Sequence, residues 1–119
     1  MSLPRSVFVF VAGIAIAAGS ALGHHALGTK YDLQQSVTVT GTVTKFEWAN
    51  PHVHLNLNAG EGRPSDIMHW EFEMASPNLM VVSGFKIDSL RPGDRVTVTA
   101  NPARDGSKLG YARTITRVR

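Results

Sequence analysis

The chain contains no cysteine among its 119 residues. This absence excludes disulfide bonds, a c-type haem site and a lipid anchor attached to cysteine. The excess of positive charge is also small, because 12 Lys and Arg and 9 Asp and Glu give a formal net charge of +3 at pH 7. No basic run occurs along the chain. The composition therefore argues against nucleic acid as a partner and against a polybasic contact with a membrane.

A hydrophobic run long enough to span a bilayer is missing as well. The one long apolar stretch, residues 7–18, has about 12 residues where a membrane helix needs about 20. It follows a short segment with Arg5 and precedes small residues, which is the pattern of a secretory signal peptide. Cleavage after Gly23 or after Ala21 satisfies the small-x-small rule. We therefore expect residues 1–23 to be removed and the rest to be periplasmic, with no membrane span after cleavage.

The remaining chain predicts a short tail, residues 24–35, and one domain, residues 36–119. The domain contains a long strand from Ser36 to Trp48, with a bulge near Thr44-Lys45, and then a hairpin. Ser76-Pro77 starts a short helix, and strands over 96–100 and 111–118 complete the domain. This order predicts an all-β fold, a small five-stranded OB-like, partly open barrel with one short helix between strands three and four. An SH3-like barrel and a simple sandwich are the alternatives.

The predicted hairpin pairs residues 48–58 with residues 67–74. Both runs alternate between apolar and polar residues, which is the period of a half-buried strand. Pairing apolar with apolar residues predicts a register with Leu57 opposite Met68, Leu55 opposite Trp70 and Val53 opposite Phe72. The same register sets Asn56 opposite His69, His54 opposite Glu71 and His52 opposite Glu73. Three histidines and two carboxylates then share one face.

This polar face is the first candidate site. Side chains two apart on a strand lie ~6.5–7 Å apart, and cross-strand neighbours lie ~4.5–5.5 Å apart. Imidazoles on such a grid can converge on one metal ion, with carboxylates completing or orienting the shell. The alternative is structural, since a His opposite a Glu is also a favourable solvent-facing pair.

The new amino terminus is the second candidate site. Cleavage after Gly23 leaves His24 first, so that its α-amine and ring can chelate one ion with His25 beside it. Cleavage after Ala21 leaves His24 third, an arrangement that suits square-planar Cu(II) or Ni(II). The alternative is that His24-His25 is only a polar start to the mature chain.

A stripe of sulfur and aromatic side chains is the third candidate, formed by Met68, Trp70, Phe72 and Met74. Thioethers bind Cu(I), yet such a stripe on the apolar side of a strand is more often barrel core. No cysteine nucleophile, Ser-His-acid pattern or phosphate-binding glycine loop is recognisable. Glu71 and Glu73 lie on one strand and do not oppose each other across a cleft as paired acid catalysts do. We therefore predict a non-enzyme.

The mature region resembles a bacterial family of small exported proteins of unknown function. The resemblance rests on these residues: His24-His25, Gly41-Thr42-Val43, Phe46, Trp48, Asn50-Pro51-His52, Trp70-Glu71, Ser76-Pro77, Leu79, Gly84-Phe85, Pro92-Gly93-Asp94 and Asp105-Gly106. A looser likeness is to the OB-fold copper/silver chaperones of periplasmic efflux systems, which implies shared architecture. The chain departs from them because its histidines and methionines fall on opposite faces of the hairpin.

These observations predict a periplasmic protein that binds a transition metal, most simply copper, for sensing, buffering or delivery. The expected metal ligands are His24, His25, His52, His54, His69 and Glu71. The alternative is a metal-free module that docks an envelope protein or a small ligand on a strand edge or barrel face.

Overall fold

The computed structural model describes residues 8–11, 21–60 and 62–119, and it describes side chains from residue 26 onward. Six strands and two helices follow in the order β1 (Phe8–Val11), α1 (Ala21–Lys30), β2 (Val37–Glu47), β3 (His54–Ala59), β4 (Met68–Glu73), α2 (Pro77–Val82), β5 (Arg95–Pro102) and β6 (Leu109–Arg117). A 3-10 turn, Pro64–Asp66, lies between β3 and β4. Most of the predicted signal peptide, residues 1–23, lies outside the described residues.

Five of the strands close into a barrel. β2 pairs antiparallel with both β3 and β5, β3 pairs with β4, and β6 joins β5 antiparallel and β4 parallel. This ring has the strand order of an OB-type barrel and confirms the predicted all-β fold. β1 lies outside the ring and pairs antiparallel with the end of β6. Along the described part of the chain, no helix combines the length and apolar character needed to cross a membrane.

The first barrel strand bends as its sequence predicts. Its pairing with β3 shifts between Val43 and Lys45, which confirms the bulge at this point. Gly41 lies where β3 crosses closely, and a Cβ added there would meet the carbonyl oxygen of Asn58 at 2.5 Å. The missing side chain of Gly41 therefore permits β2 to pack against β3 as it curves.

The predicted helix cap is also present. The side chain of Ser76 accepts a hydrogen bond from the Leu79 amide, and Pro77 occupies the first turn of α2. The barrel core is formed by buried aliphatic, aromatic and Met side chains, among them Val43, Val53, Leu55, Leu57, Phe72, Met74, Met80, Phe85, Val96, Val98 and Ile115. The inward parity of the hairpin is therefore the predicted one for β3 and for most of β4.

The predicted hairpin register is wrong by two residues. Leu57 lies opposite Trp70, Leu55 opposite Phe72 and His54 opposite Glu73. A shift of two residues preserves which side chains face inward, so the apolar pattern alone cannot distinguish the two registers. The pairing extends to Ala59 and Met68, and so the connecting loop begins and ends one residue later than the turn formers suggested.

Two further expectations need correction. Met68 is not core, since half of its surface is exposed at the loop end of the hairpin, and Trp70 is only partly buried. The segment predicted as a loose tail is helical through Lys30, and Tyr31 after it is almost fully buried. Leu27 and Tyr31 are four residues apart and share one helix face, which gives this segment an apolar side to pack.

Candidate functional site

The polar face of the hairpin meets the last turn of helix α1 at the end where β3 begins and β4 ends. At that end the chain enters β3 through His52 and leaves β4 at Glu73. Backbone hydrogen bonds join Val53 N to Ala75 O and Met74 N to Val53 O, both at 2.9 Å, and extend the pairing just past the strand ends. These bonds fix the backbone of the two chain segments that carry His52 and Glu73.

Glu73 lies at the centre of the contacts under α1. Its Oε2 accepts a hydrogen bond of 2.6 Å from the Tyr31 hydroxyl, and the Lys30 Nζ lies 3.5 Å from the same oxygen. Its Oε1 faces Nε2 of His52 at 3.8 Å. Only 15% of the Glu73 side chain is exposed. The two oxygens of one carboxylate therefore have different partners.

The imidazole of His52 is oriented by its other nitrogen. Nδ1 lies 2.9 Å from the carbonyl oxygen of Met74. A carbonyl only accepts hydrogen bonds, so Nδ1 carries the proton and donates it. In the neutral ring, Nε2 then presents a lone pair towards Oε1 of Glu73. Two acceptors that face each other in this way are stabilised when a proton or another cation lies between them.

Helix α1 is held over this end by its last turn. Tyr31 packs against Tyr111 with ring centroids 5.9 Å apart and forms an isolated backbone bridge with Ala103. Arg104 donates from Nε to Gly28 O at 2.7 Å and from its backbone N–H to Lys30 O at 3.0 Å. The apolar cluster under the helix consists of Tyr31, Ala103 and Tyr111 with Leu27, Leu33 and Leu109 around them. The wall of the site is therefore anchored to β6 and to the connection before it.

Two adjoining clefts open at this end. The larger has a volume of about 180 Å³ and is lined by Ala26, Leu27, Lys30, Tyr31, His52 and Glu73. The smaller, about 50 Å³, is lined by Lys30, Tyr31, His54, Glu71, Glu73 and Leu109. Lys30, Tyr31 and Glu73 belong to both. The structure thus places His52 at the larger cleft and His54 and Glu71 at the smaller one.

The two tyrosines under α1 are held in their protonated form. Burial, followed by the hydrogen bond to Glu73 and the charge of that carboxylate, raises the pKa of Tyr31 far above its ordinary value. Burial raises the pKa of Tyr111 to about 12, although nearby Arg113 acts in the opposite direction. Tyr31 therefore remains a hydrogen-bond donor to Glu73 over the whole physiological pH range.

Other predicted ligands lie elsewhere or are only partly described. His69 is exposed near the loop end of the hairpin, where its Nδ1 donates to Oδ1 of Asn58 at 2.6 Å. The backbone of His24 and His25 lies in the first half of α1, but their side chains are outside the described part. Among the side chains described from residue 26 onward, no three His, Asp or Glu residues group closely enough to enclose an ion.

Sequence reasoning missed Lys30 and Tyr31 and left Glu73 out of the expected ligands. The first two fall in the segment read as a loose tail, where the signal was the four-residue spacing of Leu27 and Tyr31. Glu73 was placed on the polar face, but nothing in the pattern of one hairpin could distinguish it from Glu71. The distinction comes from α1, which covers Glu73 more closely.

The chain belongs to a family of unknown function, DUF6152, which matches residues 12–112. No curated protein and no solved structure matches the chain. The predicted membership of an uncharacterised family is therefore confirmed. The relationship supplies no activity, and the function has to be argued from the chemistry of the cleft.

Proposed function

We propose that this member of DUF6152 is an exported periplasmic protein that binds a transition metal, copper, for sensing, buffering or delivery and not for catalysis. The proposal places the ion in the cleft between α1 and the hairpin. The observation that carries it is the pair formed by His52 and Glu73, in which Nε2 faces Oε1 at 3.8 Å while Nδ1 is tied to the Met74 carbonyl.

The spacing of this pair suits two ligands of one ion. Nitrogen and oxygen ligands lie about 2.0–2.2 Å from a zinc-like ion, so two neighbouring ligands of a tetrahedral ion lie about 3.4 Å apart and two opposite ligands about 4.2 Å apart. The 3.8 Å between Nε2 and Oε1 lies between these two values. A ring nitrogen whose partner nitrogen donates to a backbone carbonyl is also the usual arrangement of a metal-bound histidine.

The remaining ligands would come from the start of α1. His24 precedes Leu27 by three residues and Tyr31 by seven, and positions with this spacing share one face of a helix. Leu27 lines the larger cleft. With a rise of about 1.5 Å per residue, His24 begins one turn from that cleft. Export with cleavage after Gly23 would add the α-amine of His24 to the ligand set.

Imidazole, amine and carboxylate groups favour Cu(II) over Cu(I), which prefers thioethers. Met74 is fully buried on the opposite face of the strand and is unsuited to join the site. The likeness to periplasmic copper/silver chaperones supports a shared barrel only, because function does not follow from fold. The oxidised ion is therefore the proposed cargo.

The test is titration of the periplasm-purified protein with Cu(II), comparing His52→Ala with His69→Ala. Both variants remove one imidazole from the same hairpin, but only His52 faces Glu73. We expect His52→Ala to weaken Cu(II) binding at least about 10-fold and His69→Ala to leave it unchanged. Binding should also weaken in acid, because protons compete with the metal for neutral imidazole. No binding by the wild type, or equal losses in both variants, would refute the proposal.

A second candidate is a metal-free module that holds a small ligand or an envelope protein. The larger cleft favours it, since Ala26 and Leu27 give an apolar wall beside the polar groups of Lys30, Tyr31 and Glu73. Such a mixture of apolar lining and few polar groups is typical of ligand pockets. Native mass spectrometry of the protein purified from the periplasm distinguishes the two. A bound organic molecule or protein in place of copper would favour this candidate.

A further inference from the structure

The larger cleft presents two acceptor atoms without a donor. Oε1 of Glu73 faces Nε2 of His52 at 3.8 Å, which is beyond hydrogen-bond distance. Nε2 is itself an acceptor in the neutral ring, because Nδ1 donates to the Met74 carbonyl. Among the described residues, no hydrogen bond reaches either atom. Because Glu73 is largely buried, a donor at Oε1 would stabilise it. A ligand with two N–H groups therefore suits this wall of the cleft.

Lys30 gives the cleft a cation that can turn towards a ligand. Half of its side chain is in solvent, and its Nζ lies 3.5 Å from Oε2 of Glu73. The same oxygen accepts a hydrogen bond of 2.6 Å from the hydroxyl of Tyr31, which is almost fully buried. Glu73 thus keeps a donor when Lys30 turns away. Lys30 and Glu73 are the two charged residues that line the larger cleft, so its formal charge is zero when His52 is neutral.

The rest of the lining is apolar and the space is small. Ala26 and Leu27 of α1 contribute the apolar side chains. The volume of about 180 Å³ equals that of roughly six water molecules in the liquid, at about 30 Å³ each. Such a space suits a molecule of a few carbon atoms together with its polar groups. The lining therefore matches a small molecule that combines an ammonium group, an anionic group and a short apolar part.

We propose that the larger cleft binds a small α-amino acid with an aliphatic side chain. Its ammonium group donates to Oε1 of Glu73 and Nε2 of His52, and its carboxylate accepts from Nζ of Lys30. Its side chain packs against Ala26 and Leu27. A simple amine would be repelled by Lys30, and a simple carboxylic acid would be repelled by Glu73. This inference rests on the second candidate function, the metal-free module, and names its ligand.

The first test uses the wild-type protein, purified from the periplasm and treated with a chelator, in calorimetric titrations with valine and two analogues. Valine methyl ester lacks the carboxylate charge, and N-acetylvaline lacks the ammonium charge. We expect valine to bind and each analogue to bind at least about 10-fold more weakly, because a charged hydrogen-bonding group is lost. Equal affinity for either analogue, or no binding of valine, would overturn the inference.

The second test compares two ion pairs of the chain. Lys30 and Glu73 line the cleft, whereas Lys45 and Glu47 form an ion pair at 2.9 Å on β2, outside the lining. We expect Lys30→Met and Glu73→Gln each to lose at least about 10-fold in valine affinity. Lys45→Met and Glu47→Gln should stay within about 2-fold of the wild type. Thermal unfolding of the four variants separates lost binding from lost stability, and equal losses of affinity in both pairs would contradict the inference.

The outcomes also separate this inference from the two candidate functions. If valine does not bind but native mass spectrometry finds another organic molecule on the purified protein, the inference fails and the second candidate function stands. If valine does not bind and the protein binds Cu(II), the inference fails and the metal proposal stands. Valine binding by the copper-free protein that is lost in Glu73→Gln and kept in Glu47→Gln supports the inference.

Discussion

The two ends of the β3–β4 hairpin carry similar side chains on the same face, yet they differ in what covers them. At the loop end, His69 donates to Asn58 and remains exposed. At the other end, His52 faces Glu73 beneath α1, and Glu73 is largely buried. His69 and Asn58 thus form a surface pair, whereas His52 and Glu73 line a cleft. The covering helix, and not the residue types, makes the candidate site.

The largest effect should come from the core that connects the two ends. Phe72 is fully buried, whereas Met68 on the same parity of β4 is half exposed. We expect Phe72→Ala to lower the free energy of unfolding by about 3–5 kcal/mol, because it leaves a cavity under the hairpin. Met68→Ala should cost less than about 1 kcal/mol, since little of its surface is removed from water. Urea denaturation measures both, and equal losses would mean that the loop end is as well packed as the covered end.

The free energy of unfolding should also fall at high pH because of the two tyrosines at the covered end. The fold raises the pKa of Tyr31 and of Tyr111, the latter from 10.0 to about 12. A raised pKa means that the fold favours the protonated phenol, so its contribution is complete below pH 10 and is lost as the pH rises towards 12. For Tyr111 the loss is on the order of 2 kcal/mol.

The measurement is thermal unfolding between pH 9 and pH 12, with the Tyr31→Phe/Tyr111→Phe protein as control. The chain has two tyrosines, so this control removes every phenol and leaves the lysines unchanged. We expect a smaller loss of melting temperature above pH 10 in the control than in the wild type. Identical curves would show that the phenols do not contribute.

The smallest effect compares the two histidines in the metal-free protein. His52→Ala removes the hydrogen bond to the Met74 carbonyl and should cost about 1 kcal/mol. His69 lies on the surface, and His69→Ala should stay within about 0.5 kcal/mol of the wild type. Chemical denaturation in the presence of a chelator gives both values. A larger cost for His69→Ala would reverse the proposed ranking of the two ends.

Much of the barrel could be predicted from the sequence because its signals are local. The alternation in the hairpin, the bulge near Thr44 and the cap at Ser76 each depend on residues that are neighbours along the chain. The register could not be predicted, since a shift of two residues leaves the same side chains inside. The loop contains Gly60 with a positive φ of 129°, a backbone feature that leaves no apolar pattern in the sequence.

The candidate site could be predicted only in part for a similar reason. His52, His54 and Glu71 were assigned to one face from the parity of one hairpin. The roles of Lys30, Tyr31 and Glu73 depend on contacts between segments far apart in sequence, such as the hydrogen bond from Tyr31 to Glu73. Periodicity within one segment contains no information about which distant segment will cover it. The helical spacing of Leu27 and Tyr31 was the one local sign that the tail packs.

We propose that His52 and Glu73 share one ion while His69 at the other end binds none. The most direct test is an anomalous difference map, recorded at the copper absorption edge, from crystals of the Cu(II)-loaded protein. We expect a peak about 2.0–2.2 Å from both Nε2 of His52 and Oε1 of Glu73. A map with no peak in this cleft, or with copper at His69 alone, would contradict it.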